Sequence, residues 1–343
     1  MPYPPGGTPP PSRFFNTWGG FAAPVGPAAP ELIQPIIDHI FVIWCHSRDD
    51  LFRWVINWFA FLVQLPSQKP GTILVVKSDC GAGKNVIVDF IGKRVLGKGL
   101  FFETSDVDKV LGKFNGLIEG TRLISFSEAA LTKDNYHTSH AKLKSLITDD
   151  TLTIEEKNIN PRVVDNFTAF MIATNAENPI KVEKSDRRTM CLEISDQRIG
   201  DTEYFDKLHD LTRQNPDTPA AFMAYLMGVE VDATLAHKPL DTEMRRALRF
   251  EHLPATARFL AEYLDENEPD TNGSLAVEAE RFYNRFTDWC QRCGENPKAA
   301  CAFGRTLTHY GCEKQRRRQA DERIYFYELR GAKVERDPAA NRP

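Results

Sequence analysis

An apolar run, Thr72-Ile73-Leu74-Val75-Val76, leads through Lys77 into Ser78-Asp79-Cys80-Gly81-Ala82-Gly83-Lys84-Asn85-Val86, and a helical run follows to Gly97. This strand, loop and helix context has a specific chemical use. A polyphosphate is held by inward-pointing backbone N–H groups at a helix N-terminus, and glycines let the backbone come close to it. Gly81, Gly83 and Lys84 meet that need, and Ser78 to Val86 form the candidate cradle for a nucleoside triphosphate. Two positions depart from the usual G-x-x-x-x-G-K-[ST]. Ser78 stands at the first glycine, and Asn85 at the hydroxyl residue that binds Mg²⁺. An amide oxygen can ligate Mg²⁺ or hold one of its waters, so Asn85 keeps a metal role open. The competing reading is a glycine-rich turn capping an ordinary helix.

Hydrolysis also needs a carboxylate on a neighbouring strand to act on the metal and the attacking water. Glu128, after the apolar strand Arg122–Phe126, is the candidate; the usual preceding acidic residue is Ser127, so one carboxylate must serve. Glu128 as a helix cap is the alternative. The strand Phe167–Ala173 ends in Thr174 and Asn175, where a polar side chain at a strand's carboxyl end would face the γ-phosphate. Asn175 as a turn residue is equally open. Arg187 and Arg188 precede the next strand, and one of them, supplied to a neighbouring subunit, would neutralise charge on the transferred phosphoryl group. Alternatively they are a solvated pair.

These residues need a scaffold, and the chain is long enough to provide one. It has 343 residues, 42% hydrophobic and 26% charged, which excludes disorder for most of it and allows two or three cores. No apolar run approaches the ~20 residues a bilayer requires. The longest, Trp54–Leu65, is interrupted by Asn57 and reads as a buried helix. The N-terminus lacks a basic segment followed by an apolar core, so the expectation is a cytoplasmic protein in a reducing setting, which seven scattered cysteines fit.

Residues 1–30 are rich in Pro and Gly and read as extended, although Phe14, Phe15, Trp18 and Phe21 suggest docking. Residues 31–70 form a helical lead-in. Residues 71–198 alternate short β-branched strands with helices, the pattern of an α/β core, with strands at Thr72–Val76, Leu100–Glu103, Arg122–Phe126, Phe167–Ala173 and Thr189–Ile194. Thr151–Asn166 reads as a β-hairpin turning near Asn158–Pro161. Residues 199–268 are helical. Residues 269–330 read as helix, helix and a two-stranded tail around a basic turn, as in winged-helix domains, and 331–343 are a tail.

The net charge is −4, from 43 basic and 47 acidic residues, which excludes a wholly nucleic-acid-coating surface. The distribution is uneven: Pro297–Arg330 holds eight Lys and Arg against four Asp and Glu. A winged-helix module sets one helix in a DNA groove and its wing on the backbone. Arg305 would lie on that helix, with Lys314, Arg316, Arg317 and Arg318 in the wing; packing against a partner protein is the alternative. Cys290-x2-Cys293, with Cys301 and Cys312, has some of the spacing of a zinc site, but their apolar helical neighbours favour buried thiols.

In order and spacing these segments resemble superfamily 3 helicases, the viral and plasmid branch of the AAA+ ATPases. The residues concerned, from Ser78 to Arg188, span 111 positions. FNTWGGFAAP, INWFAFLVQLPSQKPG, CGAGKN, KLKSLITDDTLTIEEK, ATNAENP, SDRR, HKPLDTEMRRA and FYNRFTDWCQRCGENPKAACAFGRTLTHYG are similar to the helicase domains of phage primase-polymerases and poxvirus-type primase-helicases. The resemblance covers the chain from about Phe15 to Leu329. It implies a P-loop core with a five-stranded parallel sheet in the order 5-1-4-3-2, bound ATP and Mg²⁺, a homo-hexameric ring and single-stranded or fork DNA in its channel. It also implies that Lys157 and Arg162, flanking the hairpin turn, contact DNA, and that a primase-polymerase lies on another chain or an upstream segment. The expected activity is an ATP-dependent DNA helicase of viral, phage or mobile-element replication. Because of Asn85 and Ser127, a nucleotide-binding platform that does not hydrolyse is the alternative. An AAA+ remodeller of protein, or a DNA packager, would not need the hairpin or the basic wing.

Overall fold

The computed structural model describes residues 1–11, 16–127, 136–267, 275–319 and 322–334. The chain divides into two compact units, Met1–Arg245 and Arg246–Pro343.

The first unit is built on a parallel sheet of β1 (Ile73–Lys77), β2 (Phe101–Thr104), β3 (Leu123–Ser127), β6 (Ala169–Thr174) and β7 (Thr189–Glu193). Two further strands, β4 (Thr151–Glu156) and β5 (Ile159–Asp165), pair antiparallel as a separate hairpin. The sheet runs β2-β3-β6-β1-β7. Its numerals differ from those expected because the hairpin strands fall between β3 and β6 in the chain and take numbers 4 and 5. The central strands read as continuous apolar runs because helices cover both faces of such a sheet. Every residue of β6 is buried, and so are Ile73–Val76 of β1.

The helical lead-in is α1 (Pro30–Asp38), continued in π-type turns to Trp44, and α2 (Asp49–Gln64). Pro30 opens α1, where its missing N–H is no loss. A helix apolar on all sides belongs in the interior, and α2 is buried from Trp54 through Val63. Asn57, which interrupts the apolar run, is satisfied there: its Nδ2 donates to the Asp232 carbonyl at 2.9 Å and its Oδ1 accepts from the Asp232 N–H at 2.8 Å. The C-terminal carbonyls of α2 meet a buried cation. Arg122, 1% exposed at the start of β3, donates to the carbonyls of Phe61, Leu62, Leu65 and Phe167. A guanidinium at a helix C-terminus complements both the orphan carbonyls and the dipole, and here it ties α2 to the sheet.

After β1 the chain enters α3 (Lys84–Asp89), which continues in π-type turns to Gly97. The N-terminal segment lies along the end of this helix, with Ala22 and Ala23 N–H groups donating to the carbonyls of Leu96 and Val95. Trp18 and Phe21 meet edge to face; Phe14 and Phe15 lie outside the described residues. Beyond β7 come α4 (Thr202–His209), extended in π-type turns to Gln214, and α5 (Thr218–Gly228), both in this first unit. The expected helical region 199–268 is thus shared between the two units.

The second unit has α6 (Ala255–Glu266), β8 (Ala276–Glu278), α7 (Ala279–Arg292), α8 (Ala300–His309), β9 (Glu313–Gln319) and β10 (Glu322–Glu328). Its sheet is antiparallel in the order β8-β10-β9. Phe259, Phe282, Phe286, Trp289 and Phe303 fill its core, where Cys290 and Cys312 are buried beside them. The β8 strand is not visible in the sequence reading, and the wing differs from it: Arg316, Arg317 and Arg318 lie within β9, not in a turn. Among the described residues no helix is long and apolar enough to cross a membrane.

Candidate functional site

The carboxyl ends of the neighbouring strands β1 and β6 bring the candidate residues together. Lys77 and Thr174 are in register, and the Ser78 N–H donates to the Thr174 carbonyl at 3.2 Å. The loop then turns at Gly81 (φ +88°) and Gly83 (φ +89°), conformations that L side chains rarely adopt. Gly83 is needed for space as well. A Cβ there would stand 2.6 Å from the His39 ring and 2.7 Å from the Phe205 ring. Lys84 begins α3, and its buried ammonium donates to Asn175 Oδ1. Asn175 Nδ2 in turn donates to Cys80 Sγ at 3.1 Å. Lys84, Asn175 and the loop therefore form one connected cluster. The Thr174 hydroxyl is turned away, accepting from the Ala176 N–H at 3.0 Å.

The loop lines an open pocket of about 460 Å³ together with Gly200, Thr202, Phe205, Asp206, His209 and Arg213. That second wall runs from Gly200 along α4 to Arg213 and was not among the expected site residues. Its side chains carry no motif; the fold alone places them opposite the glycines. Asp201 caps α4 by accepting from the Tyr204 N–H at 3.1 Å, which fixes the start of this wall. Beneath the loop, His39 is fully buried with Nδ1 2.9 Å from the Tyr204 hydroxyl. Burial pushes its pKa down to about 4, against a smaller opposing effect of the Gly83 backbone, so the ring is neutral.

For a divalent metal, Asn85 supplies an exposed amide on the pocket wall, and Ser127 ends β3 in register with Ala173 of β6. Glu128, the expected carboxylate, lies outside the described residues. Among the described residues no group of three His, Cys, Asp or Glu side chains could hold a metal. Mg²⁺ needs only one or two protein ligands when phosphates and waters complete its shell, so Asn85 and Ser127 fit such an ion only as partners of a bound nucleotide.

Arg187 and Arg188 are not brought to this cluster. The Ile73 N–H donates to the Arg188 carbonyl at 2.9 Å, which places both arginines at the amino end of β1, a strand length or roughly 16 Å from the loop. Two residues hold this corner. Asp186 Oδ1 accepts from the N–H groups of Arg188 and Thr189, and the buried Arg245 donates to the Asp186 and Thr189 carbonyls. Arg245 belongs to the segment HKPLDTEMRRA, whose role the sequence did not reveal.

The hairpin turns at Lys157 and Asn158 (φ +66°), tighter and earlier than expected. Lys157 is exposed at the tip. Arg162 is engaged: it pairs with Glu119 and, at 2.8 Å, with Glu156, and these carboxylates raise its pKa. In the second unit Arg305 is exposed on α8. Register places Lys314, Arg316 and Arg318 opposite Tyr327, Tyr325 and Arg323. Lys314 stands 4.7 Å from the Tyr325 ring centre, whereas Arg317 points to the other face, beside Glu328 at 3.6 Å. Cys293 and Cys301 are exposed, unlike the buried Cys290 and Cys312.

Residues 76–188 match a family of unknown function, DUF5906. Over 265 residues the chain is 24% identical to the DNA primase-polymerase of Nitratiruptor phage NrS-1, covering 75% of this chain and 35% of that protein. The chain therefore spans about a third of the length of that relative. Two apo structures of the NrS-1 C-terminal region superpose with TM-scores of 0.64 and 0.63 at 20% and 21% identity, each covering 89% of this chain and 77% of the other. The chain is related to the C-terminal region of a phage DNA primase-polymerase. The sequence resemblance named both such proteins and superfamily 3 helicases; these similarities carry the first and no helicase activity.

Proposed function

We propose that the chain is an ATP-driven DNA motor, a helicase acting in the replication of a phage or related element. The observation that carries this reading is the bond from the Lys84 ammonium to Asn175, at the carboxyl ends of adjacent parallel strands under a loop with two left-handed glycines. That is where ligands bind in open parallel sheets. In this reading Lys84 leaves Asn175 to meet the β- and γ-phosphates, and Asn175 then senses the γ-phosphate and orients water. The loop N–H groups and the start of α3 hold the remaining oxygens. Glu128 accepts the proton of the attacking water. Mg²⁺, when bound with the nucleotide beside Asn85, neutralises phosphate charge. Arg187 and Arg188 lie too far from their own loop to touch its ligand, so they act in the site of a neighbouring copy, which supports a ring such as a homo-hexamer. Relation to a phage primase-polymerase supports a replication setting and DNA as the track. Lys157 at the hairpin tip, and the basic face of the second unit, read as a winged helix, are the proposed DNA contacts.

The test is steady-state ATP hydrolysis with Mg²⁺. Wild-type protein turns over and Lys84→Ala, still folded by circular dichroism, does not. A wild type that binds ATP without turnover would favour the second reading, a nucleotide-binding assembly platform, which Asn85 and Ser127 motivate.

A further inference from the structure

The wall opposite the phosphate loop has its own chemistry. Phe205 is flanked by two rings: Tyr204 packs against it edge to face at 5.3 Å between ring centres, and the buried His39 ring lies 6.2 Å away. One turn further along α4, His209 approaches the Phe205 ring at 6.3 Å with 37° between the planes. Asp206 and Arg213 stand exposed at the rim of the same pocket. A pocket floored by glycines and a lysine, walled by two aromatic rings and rimmed by one carboxylate and one guanidinium is asymmetric, with an anion-accepting end and a flat, stacking end. Its volume lies in the range of small-molecule sites.

We infer that the Phe205–His209 wall binds the nucleobase of a nucleoside triphosphate, with Asp206 accepting a hydrogen bond from the exocyclic amino group of the base. This rests on the nucleotide reading above and deepens it by naming what distinguishes one nucleotide from another. Every base has a π-face, so stacking gives affinity, and an acceptor-only carboxylate gives preference. Adenine presents an amino group to such a carboxylate, whereas uracil presents an N–H flanked by two carbonyl oxygens that the carboxylate repels. ATP is accordingly bound in preference to UTP.

Calorimetric titration of the full chain with ATP, UTP and inorganic tripolyphosphate, each with Mg²⁺, tests this. Wild-type protein binds ATP at least tenfold tighter than tripolyphosphate. His209→Ala removes most of that advantage, and Asp206→Asn reduces the preference for ATP over UTP, while neither lowers the affinity for tripolyphosphate. These two positions are on the open side of the wall; Phe205→Leu, which touches the loop, serves as a third variant, with its unfolding midpoint measured alongside. Equal affinity of the wild type for ATP and tripolyphosphate, or unchanged ATP and UTP binding in His209→Ala and Asp206→Asn, overturns the base site and leaves the phosphate site standing. No binding of either ATP or tripolyphosphate by the wild type overturns both.

Discussion

At the scale of single residues, the site depends on a glycine with no room around it and a histidine with no water around it. A methyl group at Gly83 would meet the His39 and Phe205 rings well inside contact distance, on a backbone turned to φ +89°. Gly83→Ala therefore displaces the loop and lowers ATP affinity by at least tenfold, and it destabilises the first unit by roughly 1–3 kcal/mol. Calorimetry and urea unfolding measure the two effects; wild-type values in both contradict the packing argument. His39 makes a pH prediction. Its folded pKa of about 4 is below the unfolded value near 6.5, so its burial as a neutral ring is fully favourable above pH 6.5. That stability is lost as pH falls from 6.5 towards 4, by up to roughly 3 kcal/mol. Unfolding free energies at pH 7 and pH 4.5 should differ less in His39→Gln than in wild type, and equal differences would show that the ring titrates normally. The turn at Gly81 and Gly83 before Lys84 was legible because the strand, glycine loop and helix are contiguous in the chain. His39, Phe205 and Asp206 were not, because tertiary folding alone brings a lead-in helix and a helix after β7 to that loop.

Among the elements, the parallel strands were readable because strands buried on both faces are continuous apolar runs. The hairpin was readable over Thr151–Asn166, and its turn shares Asn158 with the expected Asn158–Pro161 but is shorter: Pro161 occupies a strand position, and the reversal comes at Lys157-Asn158 with Glu156 paired to Ile159. The arginines of β9 read as a turn in the sequence because so many charges in a row suggest one; in the strand Arg316 and Arg317 pair with Tyr325 and Ile324 of β10, and Arg318 with Arg323. The hairpin also yields a prediction that separates its two cations. Glu119, Glu155, Glu156 and Asp165 outnumber Lys157 and Arg162 in and beside it, and Arg162 is already held by two of the four. Lys157→Ala should weaken single-stranded DNA binding and reduce the slope of log affinity against log salt by about one. Arg162→Ala should leave that slope nearly unchanged while loosening the hairpin. Fluorescence anisotropy across a salt series distinguishes the two, and an unchanged slope in Lys157→Ala removes the hairpin tip from the DNA surface.

For the whole molecule, the arithmetic of −4 net charge becomes local. The Lys84–Asn175 cluster, the hairpin and the basic face of the second unit occupy separate elements, and Asp186 holds the Arg188 N–H at the end of the sheet away from Lys84. In the proposed reading one chain would supply the loop for one nucleotide and arginines for that of a neighbouring copy. Such a division of labour is what the proposed DNA-stimulated ring ATPase requires. The most direct measurement is its rate of Mg²⁺-dependent ATP hydrolysis with and without single-stranded DNA, beside Lys84→Ala. Turnover in the wild type that DNA raises several-fold and that Lys84→Ala abolishes is the expected result. A wild-type rate indistinguishable from that of Lys84→Ala, with DNA present, would contradict it.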